Sequence, residues 1–245
     1  MIPKKIHYCW FGRKPLPALA LMCIESWKKF LPDYEIIEWN EDNFDVNLYQ
    51  YAKEAYHMKK YAFVSDVCRL YALKEIGGLY MDTDLEVLKP LDAFLHHNAF
   101  SGYESNGYIP TALMGSKKNG EWATDMLAYY DNKSFILSDN ALDMSTNVEI
   151  ITKLMQPKGI RLDNTFQEIE DYIAFYPSEY FCPKDYISEQ IIITENSHCI
   201  HHFAGSWYPP KRKFFKSSKK ILINFFGFNN VRGLIFFMKR MKNKK

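Results

Sequence analysis

No acidic residue occurs in the last 35 positions of this 245-residue chain, although the whole holds 29 Asp and Glu. The same stretch, 211–245, carries 12 Lys and Arg, which leaves 19 basic against 29 acidic residues before it. A formal charge of +2 therefore hides an acidic body joined to a basic segment. The five cysteines, Cys9, Cys23, Cys68, Cys182 and Cys199, never form a CxxC pair. That argues against a disulfide framework and a thiolate zinc site, and fits a reducing compartment. No run approaches the roughly 18 apolar residues of a membrane-spanning helix, and Met1-Ile2-Pro3-Lys4-Lys5 lacks a signal-peptide pattern. The expected location is cytoplasmic. Internal repeats, low-complexity tracts and known nucleic-acid motifs are also missing, so no nucleic-acid partner is expected. What is abundant is apolar and aromatic: 47% hydrophobic and 16% Phe, Trp and Tyr, enough for a sizeable core and for platforms that stack on bases or sugars.

Hydrophobic periodicity predicts an α/β chain. Ile6–Trp10 reads as a strand, Ala18–Phe30 as a helix stopped before Pro32, and Tyr34–Trp39 as a second strand, the opening of a nucleotide-binding α/β half. From Lys59 to Ile76 apolar residues return at helical spacing until Gly77-Gly78 ends the run. Leu79–Met81 is a short strand candidate. Further helices are expected near Trp122–Tyr130 and Val148–Met155, a polar loop near Glu104–Gly107, and late strands at Ile191–Thr194 and His198–Phe203.

Directly after Leu79–Met81 stands Asp82-Thr83-Asp84. Carboxylates two apart at a strand end can face the same way and share a hard cation. Mg²⁺ or Mn²⁺ takes few protein ligands and leaves positions for substrate phosphates, so this is a natural diphosphate site. As a bare pattern Asp-x-Asp is more often a solvated turn; the helix, glycine pair and strand before it give it weight. Asp66 and Arg69 lie three apart on one helix face, either as a surface ion pair or as groups turned to a cleft, binding sugar hydroxyls and phosphate oxygens.

The segment Tyr61–Asp84 closely resembles the DXD-containing sugar-binding region of glycosyltransferase family 32, which includes bacterial capsular and surface polysaccharide enzymes and yeast mannosyltransferases. The catalytic domains of large clostridial glucosylating toxins are similar. Ile2–Gly12 resembles the family's opening strand, and His201-His202-Phe203-Ala204-Gly205-Ser206-Trp207 its closing motif. The resemblance implies a GT-A type fold, a mixed central sheet flanked by helices, over residues 1–208; charge and apolar clustering, apart from the resemblance, read 209–245 as a basic amphipathic helical segment. It implies that Trp10 stacks on the nucleotide base, that Asp66 and Arg69 hold the donor sugar, and that Asp82 contacts ribose or sugar and metal-bound water. Asp84 becomes the direct metal ligand, and Ser206 and Trp207 reach the phosphates. One of two adjacent strand histidines can face the cleft; His201 is favoured over His202 as a further ligand, and an imidazole suits Mn²⁺ better than Mg²⁺. A structural histidine on a late strand is the other reading.

The function so implied is a metal-dependent, retaining hexosyltransferase. It would move sugar from a nucleotide diphosphate donor, UDP-glucose or UDP-galactose before GDP-mannose, to a glycan or lipid-linked acceptor in surface polysaccharide synthesis. A metal-dependent nucleotidyltransferase or sugar-nucleotide hydrolase would use the same carboxylates, and a non-catalytic carbohydrate-binding, membrane-associated protein would use the aromatics. The basic segment, with apolar clusters at Phe214-Phe215, Ile221–Phe228 and Leu234–Met238, suits an anionic membrane surface at the inner face of the cell membrane, or packing on the acidic body.

Overall fold

The computed structural model describes residues 1–205, apart from Asn106 and Ile187. Ser206, Trp207 and the segment 209–245 lie outside the described residues, as does the boundary expected at 208. In chain order the elements are β1 (Lys5–Cys9), α1 (Ala18–Phe30), β2 (Glu35–Trp39), α2 (Gln50–His57), α3 (Tyr61–Glu75), β3 (Gly78–Met81), β4 (Leu85–Val87), β5 (Ala99–Gly102), β6 (Leu113–Ser116), α4 (Glu121–Ala128), α5 (Asn147–Met155), β7 (Gln167–Ile169), β8 (Ile173–Tyr176), α6 (Ser178–Phe181) and β9 (Cys199–His201). The expected mixed sheet flanked by helices is present: seven strands in the order β2-β1-β3-β6-β5-β8-β7, with β4 and β9 paired separately. β1 runs parallel to β2 and to β3, while β3 and β6 are antiparallel.

Alternation along β3 separates the two cores. Leu79 and Met81 pack with Cys23, Ile24 and Trp27 of α1, and Tyr80 packs on the other face with α3. In α1 the buried residues Ala20, Cys23, Ile24 and Trp27 fall at the spacing of one helix stripe. That stripe also braces β4, since Trp27 Nε1 donates to the Leu85 carbonyl at 2.7 Å and the Val87 amide donates to Ser26 Oγ at 2.9 Å.

One expected strand is absent. Ile191–Thr194 forms no strand; a single bridge pairs Ile191 with Lys184, and Ile191, Ile192 and Ile193 are exposed. β-branched residues favour extended backbone, but a strand needs a partner along its length, and here the neighbouring chain turns away after one pair. Among the described residues no helix is long and apolar enough to cross a membrane.

Candidate functional site

The turn after β3 is assembled from three directions. The Asp82 amide donates to the Ala112 carbonyl and the Leu85 amide donates back to the Asp82 carbonyl, both at 2.9 Å, so Asp82-Thr83-Asp84 is a tight reversal into β4. From β3 itself, Tyr80 Oη donates to Asp82 Oδ1 at 2.9 Å. From the end of the described chain, the His202 amide donates to the Asp84 carbonyl at 2.9 Å and the Ala204 amide to Asp84 Oδ2 at 2.7 Å. The register that places Leu85 opposite His201 explains the last contacts, because the chain leaving β9 must pass directly over Asp84.

That register also orients the histidines. His201 Nε2 lies 3.5 Å from Asp84 Oδ1, whereas His202 Nε2 bonds Glu86 Oε2 at 2.8 Å. Asp82, Asp84 and His201 each present one ligand atom, all within 4.8 Å of one another. Two carboxylates and an imidazole are a donor set that fits a divalent cation, and the three side chains are only partly buried. Nδ1 of His201 is buried without a hydrogen-bond partner among the described residues. Burial would raise the Asp84 carboxyl, but His201 and the Ala204 amide outweigh it and hold it at about 2. Burial would likewise lower His201, and Asp84 overrides it and raises the imidazole well above its ordinary value. A cation placed there would take over the neutralising role and release a proton.

Arg69 ties the carboxylates to α3. It is 6% exposed, its guanidinium stacks on the Tyr80 ring at 4.5 Å, and it reaches Asp66 at 3.1 Å and Asp82 at 3.3 Å. Two carbonyls, of Ser65 and Thr111, accept from two more of its five donors at 3.2 and 3.0 Å. Its charge is stabilised against burial first by Asp82, then by Tyr80 and Asp66. Asp66, the more buried carboxylate, comes off worse: burial raises it to about 6, with Arg69 opposing and Asp82 adding to the rise. The pair is a buried strut that orients Asp82, with most of the Arg69 donors already engaged.

Trp10 follows β1. Because β1 and β3 are parallel and His7 stands opposite Tyr80, Trp10 and the Asp82–Asp84 turn leave by the same sheet edge. Its indole is half-buried and donates to the Lys14 carbonyl at 2.5 Å. The next residues turn under α3: Gly12 has φ +95° and a Cβ there would meet the Tyr61 ring at 2.4 Å, while its amide donates to Glu41 at 2.7 Å. The structure thus gathers Asp66, Arg69, Asp82, Asp84 and His201 into one contact network, with Trp10 on the same edge; Ser206 and Trp207 fall outside the described residues.

Residues 17–101 match a family described as glycosyltransferase sugar-binding region containing DXD motif. Asp66, Arg69, Asp82 and Asp84 all lie within the matched stretch. Inositol phosphoceramide mannosyltransferase 3 of Schizosaccharomyces pombe is 29% identical over 125 residues, 48% of this chain and 34% of that protein. Glucan organizing enzyme 1 of Cryptococcus neoformans var. grubii is 41% identical over 49 residues, 20% of this chain and 13% of that protein. The aligned stretches thus span at most about a third of these relatives. Among solved structures, the PaToxG glycosyltransferase aligns at TM-score 0.47 and 20% identity over 64% of this chain and 69% of that one.

Sequence reasoning missed Asn147. It opens α5 behind a capping box in which Thr146 accepts from the Glu149 amide. It is 2% exposed, its Nδ2 lies 3.5 Å from the Asp66 carbonyl, and its Oδ1 is buried without a hydrogen-bond partner among the described residues. The Thr-Asn-Val-Glu pattern signals a helix start, but nothing local says that this start abuts Asp66. Tyr80 and the Thr111 carbonyl were missed for the same reason.

Proposed function

We propose that the chain is a metal-dependent glycosyltransferase of GT-A type that retains configuration and transfers a hexose from a nucleotide diphosphate sugar. The observation that carries this is the convergence of Asp82 and Asp84, from the matched sugar-binding region, with His201 from a strand more than a hundred residues away. Three such donors within reach of one cation, at the edge where parallel strands end, suit the diphosphate of a donor sugar.

The sugar–phosphate bond breaks with charge building on the departing diphosphate, so stabilising that charge is the largest available effect. A divalent cation held by Asp84, Asp82 and His201 supplies Lewis-acid neutralisation of the diphosphate when bound. Trp10 offers an aromatic face to the base. Asp66 and Asn147 offer acceptors for sugar hydroxyls, and Arg69 fixes Asp82 through its contacts with Asp66 and Tyr80. Ser206 and Trp207, by resemblance, serve the phosphates.

UDP-glucose or UDP-galactose remains the first donor to test. The relative named a mannosyltransferase of inositol phosphoceramide supports GDP-mannose as second donor and a lipid-borne acceptor as an alternative to a surface glycan. The basic segment 209–245, beyond a transferase unit of residues 1–208, would bring the enzyme to an anionic membrane at its cytoplasmic face.

Incubation with each nucleotide sugar and Mn²⁺, followed by product identification, tests the proposal. Attack at carbon releases the nucleoside diphosphate, and attack at phosphorus would release sugar phosphate and point to a nucleotidyltransferase or pyrophosphohydrolase. Asp84→Ala should lower transfer and donor hydrolysis by at least about 10³-fold, while the variant still folds cooperatively and melts somewhat lower for want of the Ala204 and His201 contacts. Turnover in that variant with chelator present would refute the metal assignment.

A further inference from the structure

Ile191, Ile192 and Ile193 are 44%, 67% and 51% exposed, three consecutive branched apolar side chains in one run. Single exposed hydrophobics are ordinary on any surface; a contiguous ridge of three calls for a partner. Around it stand Asp185, Glu189 and Glu195 against Lys184, bridged to Ile191 with its Nζ donating to the His202 carbonyl, and Lys89, which donates to the Glu195 carbonyl, so the acidic groups outnumber the basic by three to two. An apolar ridge in an acidic setting is poorly suited to anionic lipid and well suited to a basic, apolar peptide.

Such a peptide begins next to it. Lys184 Nζ donates to the His202 carbonyl at 2.8 Å, and the Tyr186 and Phe203 rings stand edge to face at 5.2 Å. The main chain thus leaves the described structure beside the hairpin that displays the ridge. The first basic residue, Lys211, is six residues past Gly205, an extended reach of about 20 Å. From there to Lys245 run 12 Lys and Arg, interleaved with Phe214-Phe215, Ile221–Phe228 and Leu234–Met238, without one acid.

We propose that the isoleucine ridge is the docking surface for this chain's own segment 211–245. Isoleucines meet the apolar clusters, and the surrounding carboxylates meet the Lys and Arg. The reading of 209–245 as a membrane-contacting segment gains a consequence: the ridge and an anionic bilayer compete for the same residues, so whatever weakens the ridge strengthens vesicle binding.

The test uses the full chain, a triple variant Ile191→Ser, Ile192→Ser, Ile193→Ser, and a charge variant Glu195→Gln, which adds no tryptic site. A control, Leu21→Ser with Met22→Ser, alters exposed apolar residues on α1. Trypsin digestion without lipid should release 211–245 severalfold faster from the triple and charge variants than from wild type or control, and high salt should speed the wild type. Equal cleavage in all four proteins overturns the proposal. Co-sedimentation with phosphatidylserine vesicles should show the triple variant pelleting at severalfold lower lipid than wild type. Weaker pelleting of the triple variant would make the ridge a lipid contact and overturn the proposal. If no protein pellets, the membrane reading of the segment fails while the trypsin comparison still decides the docking.

Discussion

Asp66 is costly where it stands. Burial raises its carboxyl to about 6 from an ordinary 3.8, even with Arg69 at 3.1 Å, because Asp82 claims the larger share of that guanidinium. Between those pH values the native protein keeps a proton that the unfolded chain has lost. Stability therefore falls as pH rises from about 4 to about 6, by about 3 kcal/mol in total. Asp66→Asn removes the charge and keeps the shape, so it should raise the melting temperature at pH 7.5 by roughly 6–12 °C. The gain should shrink at pH 4.5, where wild-type Asp66 is largely protonated. If Asp66 serves the donor sugar, the stabilised variant should lose transfer; scanning calorimetry at the two pH values and a transfer assay check both halves. A gain larger at pH 4.5 than at 7.5 would contradict the assignment of strain to this carboxylate.

Among elements, the join between α3 and β3 carries the most information. Gly77 and Gly78 have φ of +76° and +122°, and a Cβ on Gly78 would lie 2.6 Å from the Lys5 carbonyl oxygen and 3.1 Å from His7 Nε2. Gly78→Ala should thus cost about 2–3 kcal/mol, from backbone strain together with a wedge between β1 and β3. Gly159→Ala, at φ +91° with nothing within 4 Å, should cost only about 1 kcal/mol from strain alone. Urea denaturation of both variants separates the two contributions, and equal losses would remove the close-packing account. This join is also why so much was legible. Asp66, Arg69, Asp82 and Asp84 sit in one continuous stretch, where helical period, glycine punctuation and a short apolar strand each mark a boundary. The long regular elements α1, α3, β1 and β2 were equally readable. β5 to β8 were not, since each has four residues or fewer and their order in the sheet depends on partners far along the chain. Ile191–Thr194 shows the converse, with strand composition but, among the described residues, only the single bridge of Ile191 to Lys184. Asn147 and the approach of Thr111 to Arg69 arise only from packing.

At the scale of the molecule, the site exists because β9 closes on β4. The closing chain from His201 to Ala204 is held by Asp84 through two main-chain amides and one imidazole, while α1 buttresses β4 from behind. A cation and nucleotide bound there would tie the first matched region to the end of the described chain, so binding should stabilise the whole fold. With Mn²⁺ and UDP at about a hundred times the dissociation constant, linkage gives about 2.7 kcal/mol, or roughly 5–11 °C in melting temperature. Hydrogen exchange should slow at the His202 and Ala204 amides, which report the clamp directly. Chelation, or Asp84→Ala, should abolish the metal-dependent share of both effects. The same melting shift from UDP with chelator as with Mn²⁺, and unchanged exchange at those amides, would mean that the nucleotide binds without engaging Asp84, and the closing strand would then be structural alone.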